Sequence, residues 1–99
     1  MAKKQEQTYF LFGKYSPAAL KGISAARTKR ASKLIEKAKG KVHSMHALLG
    51  EYDLVMVASL PDNEAAAKIS VALAKATGIG FTSCPAFSVD RFDKLVAKV

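Results

Sequence analysis

Six side chains in this sequence have chemistry beyond filling space: Arg27, His43, His46, Tyr52, Asp53 and Cys84. Gly50 joins them for the backbone freedom it gives. Tyr52 offers a hydroxyl and Asp53 a carboxylate just after that glycine. An arginine brought beside them would orient the carboxylate or hold an acidic ligand through paired N–H donors. A Tyr-Asp-Arg group of this kind can polarise a carbonyl or bind a carboxylate, but it contains no evident nucleophile. The plain structural reading stands next to it: Gly50 supplies a positive φ in a hairpin turn, and Asp53 caps that turn.

His43 and His46 are spaced like a metal pair, yet three residues apart on a strand they are expected on opposite faces. Without a bulge they cannot share an ion, so no metal site is read from them. One of them could still meet a metal or haem iron together with groups from a second subunit. The ordinary alternative is a satisfied or surface histidine. Cys84 reads as a small strand residue, because a nucleophilic role needs a neighbouring base. Gly78-Ile79-Gly80-Phe81 lacks the spacing and following helix of a phosphate-binding loop. These residues name no cofactor.

The elements that must position these groups come from patterning. Thr8 to Lys14 is dense in aromatic residues and apolar at both parities, which predicts a first strand buried on both faces. Ser16-Pro17 is a helix start, and Gly22 followed by Ser24 offers a second one, so the helical segment is either continuous or broken at Gly22. The main helix is expected from about Ser24 to Lys39, ended by Gly40. Leu20, Ile23, Ala31, Leu34, Ile35 and Ala38 share its apolar face. Arg27 falls in the middle of that stripe, where it must either snorkel out or reach Asp53, Glu51 or an anion bound near them.

Lys41 to Leu49 and Asp53 to Leu60 read as two strands of a hairpin around Gly50. Leu54 to Ala58 is too uniformly apolar for a strand with one wet face, so its sheet should be covered on both sides. Asp62 is expected to cap a second helix running to Thr77 before Gly78. That helix carries Ala65, Ile69, Ala72, Leu73 and Ala76 on one face and Ala67, Val71 and Ala74 on the other. Phe81 to Val89 is a fourth strand, placed at an edge by Pro85, which has no amide hydrogen. Asp90 to Val99 should close the chain as a short helix packing Phe92, Leu95, Val96 and Val99.

In 99 residues this makes one domain, residues 8–99, behind a flexible tail of residues 1–7. No apolar run approaches the roughly 20 residues needed to cross a bilayer, which speaks against a membrane protein. Met1 to Gln7 is polar, without the core of a signal peptide, and the single cysteine suits a reducing compartment; a cytoplasmic location is expected.

The order strand, helix, strand, strand, helix, strand predicts an α+β sandwich of ferredoxin-like type, with both helices on one face of a four-stranded antiparallel sheet. The other face then has no cover within the chain unless the terminal helix folds over it. A second subunit's sheet is the natural cover, giving a dimeric α+β barrel with space for a small ligand between the sheets.

Gly50-Glu51-Tyr52-Asp53 resembles the Gly-x-Tyr-Asp signature of the GYD domain family. The similarity extends from about Tyr9 to Val96 and takes in Ser24 with Arg27, Pro61-Asp62 and the apolar strand after the signature. The resemblance implies a ferredoxin-like fold in the dimeric α+β barrel group and carries no established biochemical role. That family often has an aromatic residue near the position of His46, so a role for this histidine is not inherited from it.

The charge is lopsided. Residues 1–41 hold eleven Lys and Arg against Glu6 and Glu36, whereas residues 42–99 are nearly neutral. A basic half can mark a nucleic-acid footprint, here Lys29, Arg30, Lys33 and Lys37, or simply a solvated helix face. RNA-recognition modules share this element order and stack bases on aromatics of the first and third strands. Strand one qualifies with Tyr9, Phe10 and Phe12, but strand three has no aromatic residue, which disfavours sequence-specific RNA binding. The expectation is a homo-oligomeric binding protein for a small acidic or aromatic molecule, with Arg27, His46, Tyr52 and Asp53 as its ligand-binding candidates. The alternatives are a cofactor-free or haem-dependent oxygenase, by fold analogy, and a non-specific nucleic-acid binder.

Overall fold

The computed structural model describes residues 6–99. Met1 to Gln5 of the expected tail lie outside the described residues. The elements run β1 (Gln7–Tyr15), α1 (Pro17–Lys21), α2 (Ala25–Lys37), β2 (Lys41–Ala47), β3 (Leu54–Leu60), α3 (Asn63–Thr77), β4 (Ile79–Ala86) and α4 (Val89–Val96). The four strands form one antiparallel sheet in the order β2-β3-β1-β4, with α2 and α3 on one face. The fold is ferredoxin-like, and Pro85 sits on the edge strand β4, where a missing donor does least harm.

Local chemistry sets the helix limits. The Ser16 hydroxyl accepts the Ala19 N–H at 3.0 Å and the Ser24 hydroxyl accepts the Arg27 N–H at 3.1 Å, so the segment breaks at Gly22 into two separately capped helices. Leu20 lies in α1 and Ile23 on the break, and both are more than half exposed, which removes them from the apolar stripe expected of the main helix. Gly40 does not close α2 by its own conformation, since the positive φ belongs to Lys39. Its smallness serves close approach instead: a Cβ there would lie 2.6 Å from Leu60 Cδ2 and 2.7 Å from the Ser59 carbonyl. Gly78 does end α3 in the left-handed region, which lets β4 start at Ile79 rather than Phe81.

Strand parity divides the sheet into two faces. Tyr9, Leu11, Met56, Ala58 and Leu60 face the helices and pack against Ala31, Ile35, Ala66, Ile69 and Leu73. Tyr9, Leu11, Ile35, Met56, Leu60 and Leu73 are almost wholly buried, each stabilising the fold by roughly 1.5–3 kcal/mol relative to an exposed side chain. Phe10, Phe12, Val55 and Val57 point the other way. Phe10 is 37% exposed, so within one chain β1 is not buried on both faces as its composition predicts.

The terminal helix also departs from expectation. The Ser88 hydroxyl caps α4 by accepting the Arg91 N–H at 3.1 Å, but α4 buries none of its residues. Phe92, Leu95 and Val96 stay between 42% and 55% exposed, because α4 makes only scant contact with the rest of the described chain.

Candidate functional site

The side chains expected to converge are divided by the sheet. On the open face, the Tyr52 ring lies 5.2 Å from Phe12, and Phe12 lies 6.4 Å from Phe10, forming a row of three aromatic rings. Gly50 itself turns the connection that leads to Tyr52, with φ +136°, a conformation that favours glycine. His46 pairs with Val55, the neighbour of Phe12 across β1 and β3, so it belongs to the same face and is exposed. Cys84 is also on this face, opposite Phe10.

His43 corrects the sequence reading. The register of β2 against β3 shifts between Val42 and Ser44, a bulge that inserts one residue and reverses the side-chain parity beyond it. Val42 pairs with Ala58 on the helix face, whereas Ser44 and His46 pair with Val57 and Val55 on the open face. The His43 ring meets Ser59 Oγ through Nε2 at 2.6 Å, and Ser59 pairs with Thr8 on that open face too. Both histidines therefore share the face from which simple alternation would exclude one. Among the described residues, no group of three or more His, Cys, Asp or Glu is placed to hold a metal ion.

Asp53 is engaged in holding strands together. Its Oδ2 accepts the Tyr15 N–H, its N–H donates to the Gly13 carbonyl, and its carbonyl accepts the Leu48 N–H, all at 2.9 Å. Glu51 is exposed, and its carbonyl accepts Lys14 Nζ at 2.7 Å.

Arg27 lies on the helix side, 9% exposed. It neither snorkels out nor meets Asp53 or Glu51: Nη1 donates to the Ala19 carbonyl, and the guanidinium stands 5.4 Å from the centre of the Tyr15 ring. Those partners are a carbonyl and an aromatic face, not a carboxylate. Ala19 reaches Arg27 because α1 is a separate turn of helix folded ahead of α2. Tyr15 shares its strand parity with Tyr9 and Leu11, which was the one signal in the sequence that placed it under the helices.

On the basic helix, Lys29, Arg30, Lys33 and Lys37 are all exposed. Arg30 ties α2 to α3 by donating to the Ala76 carbonyl at 3.3 Å. No helix among the described residues is long and apolar enough to cross a membrane.

Comparison with known proteins sets this geometry in context. A family model described as the GYD domain matches residues 9–96, nearly the whole chain. No curated protein matches. Among solved structures, the Leucine response regulatory protein (LrpA) of Mycobacterium tuberculosis superposes with a TM-score of 0.55 at 13% identity, covering 83% of this chain and 51% of that one. The likeness is one of fold, and this chain spans about half the length of that protein.

Proposed function

The chain belongs to the GYD domain family, and from that premise we propose that it acts as a homo-oligomeric small-molecule-binding protein whose paired sheets enclose the ligand pocket as a dimeric α+β barrel. The observation that carries this reading is the aromatic row Phe10, Phe12 and Tyr52 on a sheet face that nothing in the described chain covers. Phe10 is exposed and Phe12 and Tyr52 are half-buried there; an apolar face left partly open on a small domain is stabilised by association, and a second copy presents the same surface.

Two such faces laid together leave the rings as walls for an aromatic or apolar ligand. His43, His46 and the Tyr52 hydroxyl supply the polar groups that would fix its orientation. Asp53 contributes by holding Tyr15 and the turn that carries Tyr52 in place, and Arg27, buried on the helix side, lies outside this pocket. The Mycobacterium tuberculosis protein with this fold is a leucine response regulatory protein, which is in keeping with a small-molecule-binding use of the architecture.

A native mass spectrum of untreated protein tests both halves of the proposal at once. It should show an even number of subunits and retained mass of a small molecule. A folded single copy at micromolar concentration contradicts the pocket and the roles assigned around it.

A further inference from the structure

The bulge in β2 gathers His43 and His46 on a face whose strand residues include no carboxylate. The other titratable groups that the strands bring there are Lys14 on β1, Lys41 on β2 and Cys84 on β4; β3 brings none. The turn adds the Tyr52 hydroxyl. Carboxylates stand only at its margins. Asp53 is bonded to the Tyr15 N–H, and exposed Glu51 lies in the same turn, its carbonyl accepting Lys14 Nζ. Glu6 precedes β1 and lines a groove with Arg91, while α4, with Asp90 and Asp93, makes only scant contact with the rest of the described chain.

A two-fold pairing of this face sets the same groups against themselves. In water an imidazole takes up its proton near pH 6.5, at about which point His46 passes from neutral to cationic. Between paired sheets that proton would be a charge withdrawn from water and surrounded by lysines and further imidazoles, so pairing favours the neutral ring. Aromatic ring faces attract a desolvated cation only modestly, well short of the cost of taking an unpaired charge out of water.

We propose that protonation of His46 drives the paired sheets apart, so that the assembly and the pocket it encloses are acid-sensitive. This rests on the reading that a second copy covers the open face. His46 carries most of the effect, because it stands in one cross-strand row with Val55 and Phe12. The His43 bond to Ser59 Oγ persists in either protonation state, since a hydroxyl both donates and accepts. The assembled state binds fewer protons than the separated copies, and pairing therefore weakens as pH falls through the imidazole range. With two His46 rings held neutral in each pair, moving from about pH 7.5 to 5.5 weakens pairing about tenfold for each ring and about 100-fold in all.

The test is sedimentation equilibrium of the full-length protein at about pH 7.5 and 5.5, with circular dichroism at both, read as the ratio of the two dissociation constants. Wild type should stay folded and show a ratio of at least about tenfold, and His46→Gln should reduce that ratio at least about threefold. If His46→Gln does not pair near neutrality, His46→Asn supplies the same comparison. A wild-type assembly that persists unchanged in acid, a smaller wild-type ratio, or a ratio that the His46 variants leave as it was overturns this proposal while leaving the pairing intact. Acid unfolding of the wild type also overturns it, since the lost pairing would then be lost fold. A folded single copy near neutrality overturns the pairing and this proposal together.

Discussion

Asp53 accepts the backbone N–H of Tyr15 through Oδ2 at 2.9 Å, so the last residue of the Gly-Glu-Tyr-Asp signature is bonded to the end of β1 and is not a free acid at the mouth of a pocket. The same residue bonds Gly13 and Leu48 through its backbone, joining β1 to the turn that delivers Tyr52.

Asp53→Ala is therefore expected to destabilise the fold by about 1–3 kcal/mol, the range for removing one partner of a partly buried hydrogen bond to a charged group. Asp53→Asn keeps an acceptor oxygen and should cost less. Urea unfolding of the two variants is the check; unchanged stability in Asp53→Ala would return the carboxylate to the list of binding groups.

Gly40→Ala is expected to destabilise by about 1–3 kcal/mol through overpacking, because the new methyl would meet the backbone carbonyl of Ser59 as well as the tip of Leu60. Gly80→Ala, where a Cβ meets nothing within 4 Å, is the control and should be nearly neutral. Equal midpoints in urea for the two variants would refute the close-approach argument.

Tyr9 gives the stability an alkaline limb. Burial pushes its hydroxyl above the ordinary value of 10.0, with the negative charge of Asp62 adding to the effect. The folded state thus holds this proton to higher pH than the unfolded chain. The associated stability is fully present below pH 10.0 and is lost as pH rises through the raised folded value. The stability difference between wild type and Tyr9→Phe should be constant near neutrality and move against the wild type at alkaline pH. A difference that stays level through strongly alkaline pH contradicts this.

Helix α4 should contribute little to the stability of a lone chain, because it buries none of its own residues. Eight residues are too few to form a stable helix in water unaided. Its apolar stripe, Phe92, Leu95 and Val96, is expected to be covered in the assembled protein. Phe92→Ser should therefore leave the unfolding of dilute protein nearly unchanged and weaken self-association in a sedimentation series. Strong destabilisation of dilute monomer would show that α4 packs on its own chain.

How much of this was legible in the sequence follows from the range of each interaction. The caps Ser16, Ser24 and Asp62 and the edge position of Pro85 are local properties, and the structure has them where the patterning expects. The element order led to the ferredoxin-like sheet because few arrangements bury those faces. The bulge at His43 was not legible, since it exists only in the register between β2 and β3, and it alone moves both histidines to one face. Arg27 was placed correctly in an apolar stripe, but its partners come from α1 and the end of β1, and only the break at Gly22 brings Ala19 to it. The convergence of Arg27 with Tyr52 and His46 failed for the same reason: helical periodicity says which side of a helix is buried and not which side of the sheet receives it.

The claim on which the function rests is that a second copy covers the face carrying Phe10, Phe12 and Tyr52, and sedimentation velocity at micromolar concentration tests it most directly. Wild-type protein should sediment as a dimer or larger even-numbered assembly, and Phe10→Glu, a change at a partly exposed position, should remain folded and sediment as a single copy. A well-folded wild-type monomer, or a Phe10→Glu protein that assembles as the wild type does, would contradict the account.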